Sequence, residues 1–132
     1  MPLPISDLRA IAQARLDDAQ VLLSAGKPDG AAYLCGYAVE LSLKACICRT
    51  LGWAAYPATS KEFQDYKTFK THVLDVLLHL SGRELFVKES LLAEWSAIAT
   101  WDPEARYQPD GKVKAGDAQS MVEAAATLLG KI

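Results

Sequence analysis

Residues 31–51 read AAYLCGYAVELSLKACICRTL, with no proline and a single glycine, Gly36. Ala31, Leu34, Ala38, Leu41, Ala45 and Cys48 recur at steps of three and four, the spacing of one helical face. Tyr33, Tyr37, Glu40 and Lys44 form a second stripe with the same steps. A helix with demands on two sides must be covered around most of its circumference. This stretch is therefore expected to be the central helix of a bundle, with the rest of the chain wrapped on it.

The remaining segments can supply that cover. In residues 6–25, Leu8, Ile11, Ala12, Leu16, Ala19, Leu22 and Leu23 repeat at helical spacing behind a capping Ser6. Gly26 ends that helix, and Lys27-Pro28-Asp29-Gly30 is too short for anything but an antiparallel return into a second helix over 29–51. Gly52 stops the second helix. Residues 53–69 read as a long loop with a helical turn near 61–66, its aromatics Tyr56, Phe63, Tyr66 and Phe69 closing one end of the bundle. Residues 72–80 predict a short apolar third helix. Residues 83–101 predict a fourth, with Leu85, Phe86, Leu91, Leu92, Trp95, Ile98 and Ala99 as core candidates and Pro103 beyond its end. A loop over 104–116 leads to Asp117 as a cap. Ala118, Met121, Val122, Ala125, Leu128 and Leu129 then mark a fifth helix. The expected fold is all-α, a five-helix up-and-down bundle forming one domain over residues 1–132.

Composition sets limits on function. Apolar residues are 51% of the chain and charged residues 23%, enough for both a core and a solvated surface, so a disordered chain is not expected. Alanine and leucine dominate over β-branched residues, which favours helices. The net charge of −2 argues against a general DNA clamp, whose affinity comes from many cations. A local basic patch stays open. Cys35, Cys46 and Cys48 all fall on the second helix. Cys46 and Cys48 point about 200° apart, so they cannot share a tetrahedral metal. Reduced, buried thiols are expected. No apolar leader and no uncharged run of about 20 residues is visible, which points to a cytoplasmic chain without membrane contact.

Glu40 and Lys44 interrupt an otherwise apolar run. With Glu at i and Lys at i+4 they can pair directly. Two roles fit: a structural ion pair, or a polar seam that faces a partner or ligand. Catalytic patterns are sparse. There is no G-x-S-x-G elbow and no phosphate-binding G-x-x-x-x-G-K-[ST] loop. His72 and His79 lie two helical turns apart, about 10 Å, too far for one metal. No metal or cofactor is expected. Trp53, Trp95 and Trp101 read as core or interface anchors.

The sequence around Glu40 also carries a resemblance. Ala38, Glu40, Leu41, Leu43, Lys44 and Ala45 form an A-x-E-L-x-L-K-A core behind an alanine- and aromatic-rich lead-in. Thr71-His72-Val73-Leu74 and Ala105-Arg106-Tyr107 follow it in order. The set resembles the HEPN family (higher eukaryotes and prokaryotes nucleotide-binding domain) along nearly the whole chain. The resemblance implies the same helical bundle. It further implies a homodimer that engages a nucleotide, an RNA or a nucleotidyltransferase partner in toxin–antitoxin or defence systems.

Many members of that family resemble one another as metal-independent RNases with an R-x(4–6)-H motif. There the Arg would hold phosphate and the His would move protons. Here Arg106 is followed at those positions by Gly111, Lys112 and Val113, and no other arginine has the histidine either. A non-catalytic binding module is therefore expected, with Glu40, Lys44, His72, Arg106 and Tyr107 lining any site. The alternatives are an RNase toxin that pairs Arg106 with distant His72, and a scaffold that only dimerises. Each residue also has a structural role available. Arg106 could pair with Glu40, and His72 could cap the third helix.

Overall fold

The computed structural model describes residues 2–104 and 111–132. Among these, six α-helices surround one core: α1 (Ile5–Ser24), α2 (Pro28–Leu51), α3 (Leu74–Ser81), α4 (Glu84–Ser90), α5 (Leu92–Ile98) and α6 (Ala115–Lys131). The all-helical expectation holds. A two-residue pair, β1 (Leu3–Pro4) antiparallel to β2 (Ala55–Tyr56), is the one sheet among the described residues. Strands this short carry no alternation for a sequence to announce.

α2 is the spine. It packs against α1, α3 and α6, and Ala31, Cys35, Ala38, Val39, Leu43, Ala45, Ile47 and Cys48 are fully buried. Its length and composition would also suit a membrane-crossing helix. Of its most apolar stretch, however, 78% is already covered by its neighbours. Each partner offers one stripe to it at helical spacing: Leu8, Ala12, Leu16 and Ala19 from α1, Leu74, Leu77 and Leu78 from α3, and Ala118, Val122, Ala125 and Leu128 from α6.

The predicted fourth helix is two. The chain bends at Leu91 (φ −134°, ψ 34°), with neither proline nor glycine there to announce it. Backbone bonds bridge the bend, from Leu91 N–H to Val87 (2.7 Å) and from Trp95 N–H to Leu91 (2.9 Å). The gain is tertiary. Beyond the bend α5 lies on α6, and Trp95 Nε1 donates to Asp75 of α3 at 2.9 Å.

Helix starts also differ from expectation. α1 begins at Ile5 with Pro4 as its N-cap, so Ser6 is not the cap. α6 begins at Ala115 behind Lys114, which puts Asp117 in the first turn, where a carboxylate favours the helix dipole without capping. α3 begins at Leu74, two residues after His72. The end of α3 needs Gly82, which sits at φ +76° with Thr50 Cγ2 only 3.1 Å from where a Cβ would stand.

Residues 53–69 close the bundle end with rings, as expected. Trp53, Tyr56, Phe63, Tyr66 and Phe69 pack edge-on or tilted with centroids 4.9–6.5 Å apart. The Tyr56 hydroxyl donates to the Phe69 carbonyl from a fully buried position. Residues 59–66 turn through i→i+3 and i→i+4 bonds, and a single 3-10 turn follows at Lys67–Phe69.

Candidate functional site

Along the Tyr33–Tyr37–Glu40–Lys44 stripe of α2, Tyr33, Tyr37 and Lys44 are partly exposed and Glu40 is buried. The N-terminal end of the stripe is roofed by Trp101, whose Nε1 donates to the Tyr33 carbonyl at 3.1 Å and whose ring lies 6.2 Å from that of Tyr33. Trp101 can sit there because Gly36 has no side chain. A Cβ at that position would stand 2.2 Å from Trp101 Cδ1. At the other end, Lys44 Nζ lies over the Tyr56 ring, 5.3 Å from its centre.

Between these ends sits Glu40, only 2% exposed. Lys44 Nζ donates to its Oε2 at 2.9 Å. His72 reaches in from the segment before α3, with Nδ1 at 3.0 Å from both Oε1 and Oε2. The exposures are unequal: the Lys44 side chain is 11% exposed and the His72 side chain 63%. A buried carboxylate thus holds a half-buried ammonium on one side and an exposed imidazole on the other.

The chemistry follows from those contacts. An ionised carboxylate only accepts hydrogen bonds, so Nδ1 of His72 carries the proton that Glu40 accepts. The tautomer and the ring are fixed by one buried group, and among the described residues Nε2 has no hydrogen-bond partner. A ring so oriented can accept a hydrogen bond or a proton at Nε2. In its protonated form it can donate to an anion. Tyr37, one turn before Glu40, keeps its phenolic proton. Burial raises its pKa, and the Glu40 charge and Tyr33 add to the effect. Nucleophilic thiols do not contribute. Burial pushes Cys35 up to about 12 and raises Cys48 as well, so both stay protonated.

Of the expected site residues, Glu40, Lys44 and His72 are brought together. Arg106 and Tyr107 lie outside the described residues, as does any pairing of Arg106 with Glu40. His72 does not cap α3. The backbone bond at that turn is made by Thr71, whose Oγ1 accepts from Val73 N–H at 3.1 Å.

Sequence reading missed Asp29. This residue opens α2, and its carboxylate accepts from Gly111 N–H (2.8 Å) and Val113 N–H (3.1 Å). Trp101 on Gly36 and Gly111 on Asp29 therefore hold the two flanks of residues 105–110 against the first turns of α2. A lone aspartate beside a proline at a helix start gives no clue to partners so distant in the chain. The Gly111 bond first, and those to Val113 and Lys112, keep the Asp29 pKa below its ordinary 3.8. A lowered folded-state pKa stabilises the fold above the unfolded value and loses that effect as pH falls through the folded value. Asp29→Asn is accordingly expected to lower the urea midpoint at pH 7, and the gap to the parent should narrow below the unfolded-state carboxylate range and close only once pH has fallen through the lowered folded-state pKa of Asp29. Amide exchange at Gly111 and Val113 should quicken in the variant at neutral pH. Equal exchange would show that the tether does not hold.

The sequence model of one family, the HEPN domain, matches residues 5–132. Neither the curated proteins nor the solved structures contain a match to the chain.

Proposed function

The chain belongs to the HEPN domain family, and on that premise we propose that it is a binding module for a nucleotide or RNA, acting as a homodimer beside a nucleotidyltransferase-type partner in a toxin–antitoxin or defence setting. One observation carries the reading. A buried Glu40 spends both oxygens on aiming an exposed His72 while neutralising Lys44. A pair needed only for stability gains nothing by extending to a histidine that is mostly in water. An imidazole with a fixed tautomer and an open Nε2 suits a ligand's phosphate or base edge. Arg106 and Tyr107 would join as phosphate fork and stacking ring.

The missing histidine after Arg106 supports binding over cleavage. The second reading, a metal-independent RNase, is favoured by the same Glu40–His72 contact, because a carboxylate behind an imidazole is how a general base is oriented. Titration calorimetry with mononucleotides and a short RNA tests the first reading. His72→Ala and Arg106→Ala should each weaken binding about ten-fold or more, the effect of losing one charge-assisted hydrogen bond. Binding unchanged in both variants would remove these residues from the site. RNA cleavage in chelator that disappears in both would establish the enzyme instead. A chain that dimerises and binds none of these ligands would be a scaffold.

A further inference from the structure

Residues 66–72 read Tyr-Lys-Thr-Phe-Lys-Thr-His, alternating rings with cations, and this segment delivers His72 to Glu40. Tyr66, Lys67, Lys70 and His72 are all exposed, and Phe69 is half-buried. Lys67–Phe69 is a 3-10 turn, in which side chains three apart eclipse. Lys67 opens that turn and Lys70 follows its last residue. The rings of Tyr66 and Phe69 lie 6.4 Å apart. The acidic neighbours are mostly engaged. Glu62 turns back to accept from the N–H groups of Ala58 (3.0 Å) and Thr59 (2.9 Å), and Asp75 accepts from Trp95. Asp65 stands exposed against the three cations Lys61, Lys67 and Lys70.

The Tyr66 ring is 46% exposed yet held in place, edge-on to Trp53 at 5.2 Å. Beside it a groove of about 390 Å³ is walled by Trp53, Ala54, Ala55, Pro57 and Tyr66, with no charged side chain among them. A fixed, exposed aromatic next to an uncharged groove is a seat for a flat ring. Cations following at short intervals suit a chain of phosphates. Paired bases in a duplex hide their faces, so this combination selects unpaired nucleic acid.

We infer that residues 66–72 are a track for single-stranded RNA. One base stacks on Tyr66 in the Trp53–Pro57 groove, successive phosphates meet Lys67 and Lys70, and the next nucleotide arrives at His72. This rests on the reading of His72 as part of a nucleotide or RNA site and gives that site its substrate form and its direction of approach.

Fluorescence anisotropy with a labelled twelve-nucleotide oligouridine, a duplex RNA of equal length, and a mononucleotide as competitor tests it at several salt concentrations. The wild type should bind the single strand and prefer it to the duplex. Tyr66→Ala should weaken that binding about ten-fold, and Tyr66→Phe, which keeps the stacking face, should restore it. A Lys67→Gln/Lys70→Gln double variant should reduce the salt slope by about 1.4, which is about 0.7 for each phosphate no longer neutralised. If Tyr66→Ala and the double variant bind like the wild type while His72→Ala does not, the track is wrong and the His72 site stands. Equal affinity for duplex and single strand also overturns the track. A wild-type protein that binds mononucleotide but no RNA overturns the track alone. One that binds neither overturns both readings.

Discussion

Gly36→Ala is expected to destabilise the fold by about 3 kcal/mol, although alanine is the better helix former by about 1 kcal/mol. The sign comes from Trp101. An alanine methyl would stand 2.2 Å from its Cδ1 and 2.3 Å from its Nε1, so the indole must leave its seat or α2 must shift. Trp101 is only 8% exposed and donates to the Tyr33 carbonyl, so leaving uncovers apolar surface and breaks a bond. The measurement is the urea midpoint combined with tryptophan fluorescence. A double-mutant cycle isolates the cause. In a Trp101→Ala background the same Gly36→Ala change should be neutral or mildly stabilising, since only helix propensity remains. Wild-type stability for the single variant would refute the seating of Trp101 on Gly36. Nucleotide binding should fall with it, because the flank of residues 105–110 loses its anchor.

Glu40→Ala should cost about 3 kcal/mol, the scale for breaking a buried pair from one side. Lys44 would be left with an ammonium that is 11% exposed, over the Tyr56 ring and without its carboxylate. His72→Ala should cost far less in stability, under about 1 kcal/mol, because that side chain is mostly in water. Glu40→Leu with Lys44→Met should recover much of the loss, since an apolar pair of similar size avoids burying charge. Ligand binding separates these effects. The Leu–Met protein should be folded and still fail to bind, with His72 no longer aimed. A refolded Leu–Met variant that binds as well as the parent would show that Glu40 serves only stability. Chemical denaturation read beside calorimetry supplies both numbers.

Much of the bundle was legible because its helices bury residues at a fixed period. The Leu8–Ala12–Leu16–Ala19 stripe, the doubly covered residues 31–51 and the glycine stops at Gly26, Gly52 and Gly82 are local signals. The bend at Leu91 was not legible, since no residue there breaks a helix and the benefit lies in Trp95 meeting Asp75. Helix starts shifted too. Ser6 and Asp117 are good caps by type, but Pro4 and Lys114 occupy the N-cap positions.

The site divides in the same way. Glu40 and Lys44 could be paired from their spacing alone, because a helix places i and i+4 side by side whatever surrounds it. That His72 would complete the cluster, 32 residues along, was decided by the path of the chain from the aromatic end of the bundle to α3. The seat of Trp101 on Gly36 and the hold of Asp29 on Gly111 are likewise contacts between distant segments. Sequence by itself determined most of the helices and the ion pair, since each depends on neighbours within about one or two turns, but not the burial of residues 83–101, where Leu85, Phe86 and Leu92, expected in the core, stand exposed. Tertiary structure alone decided which exposed imidazole a buried carboxylate would aim, because that depends on where two separate elements come to rest.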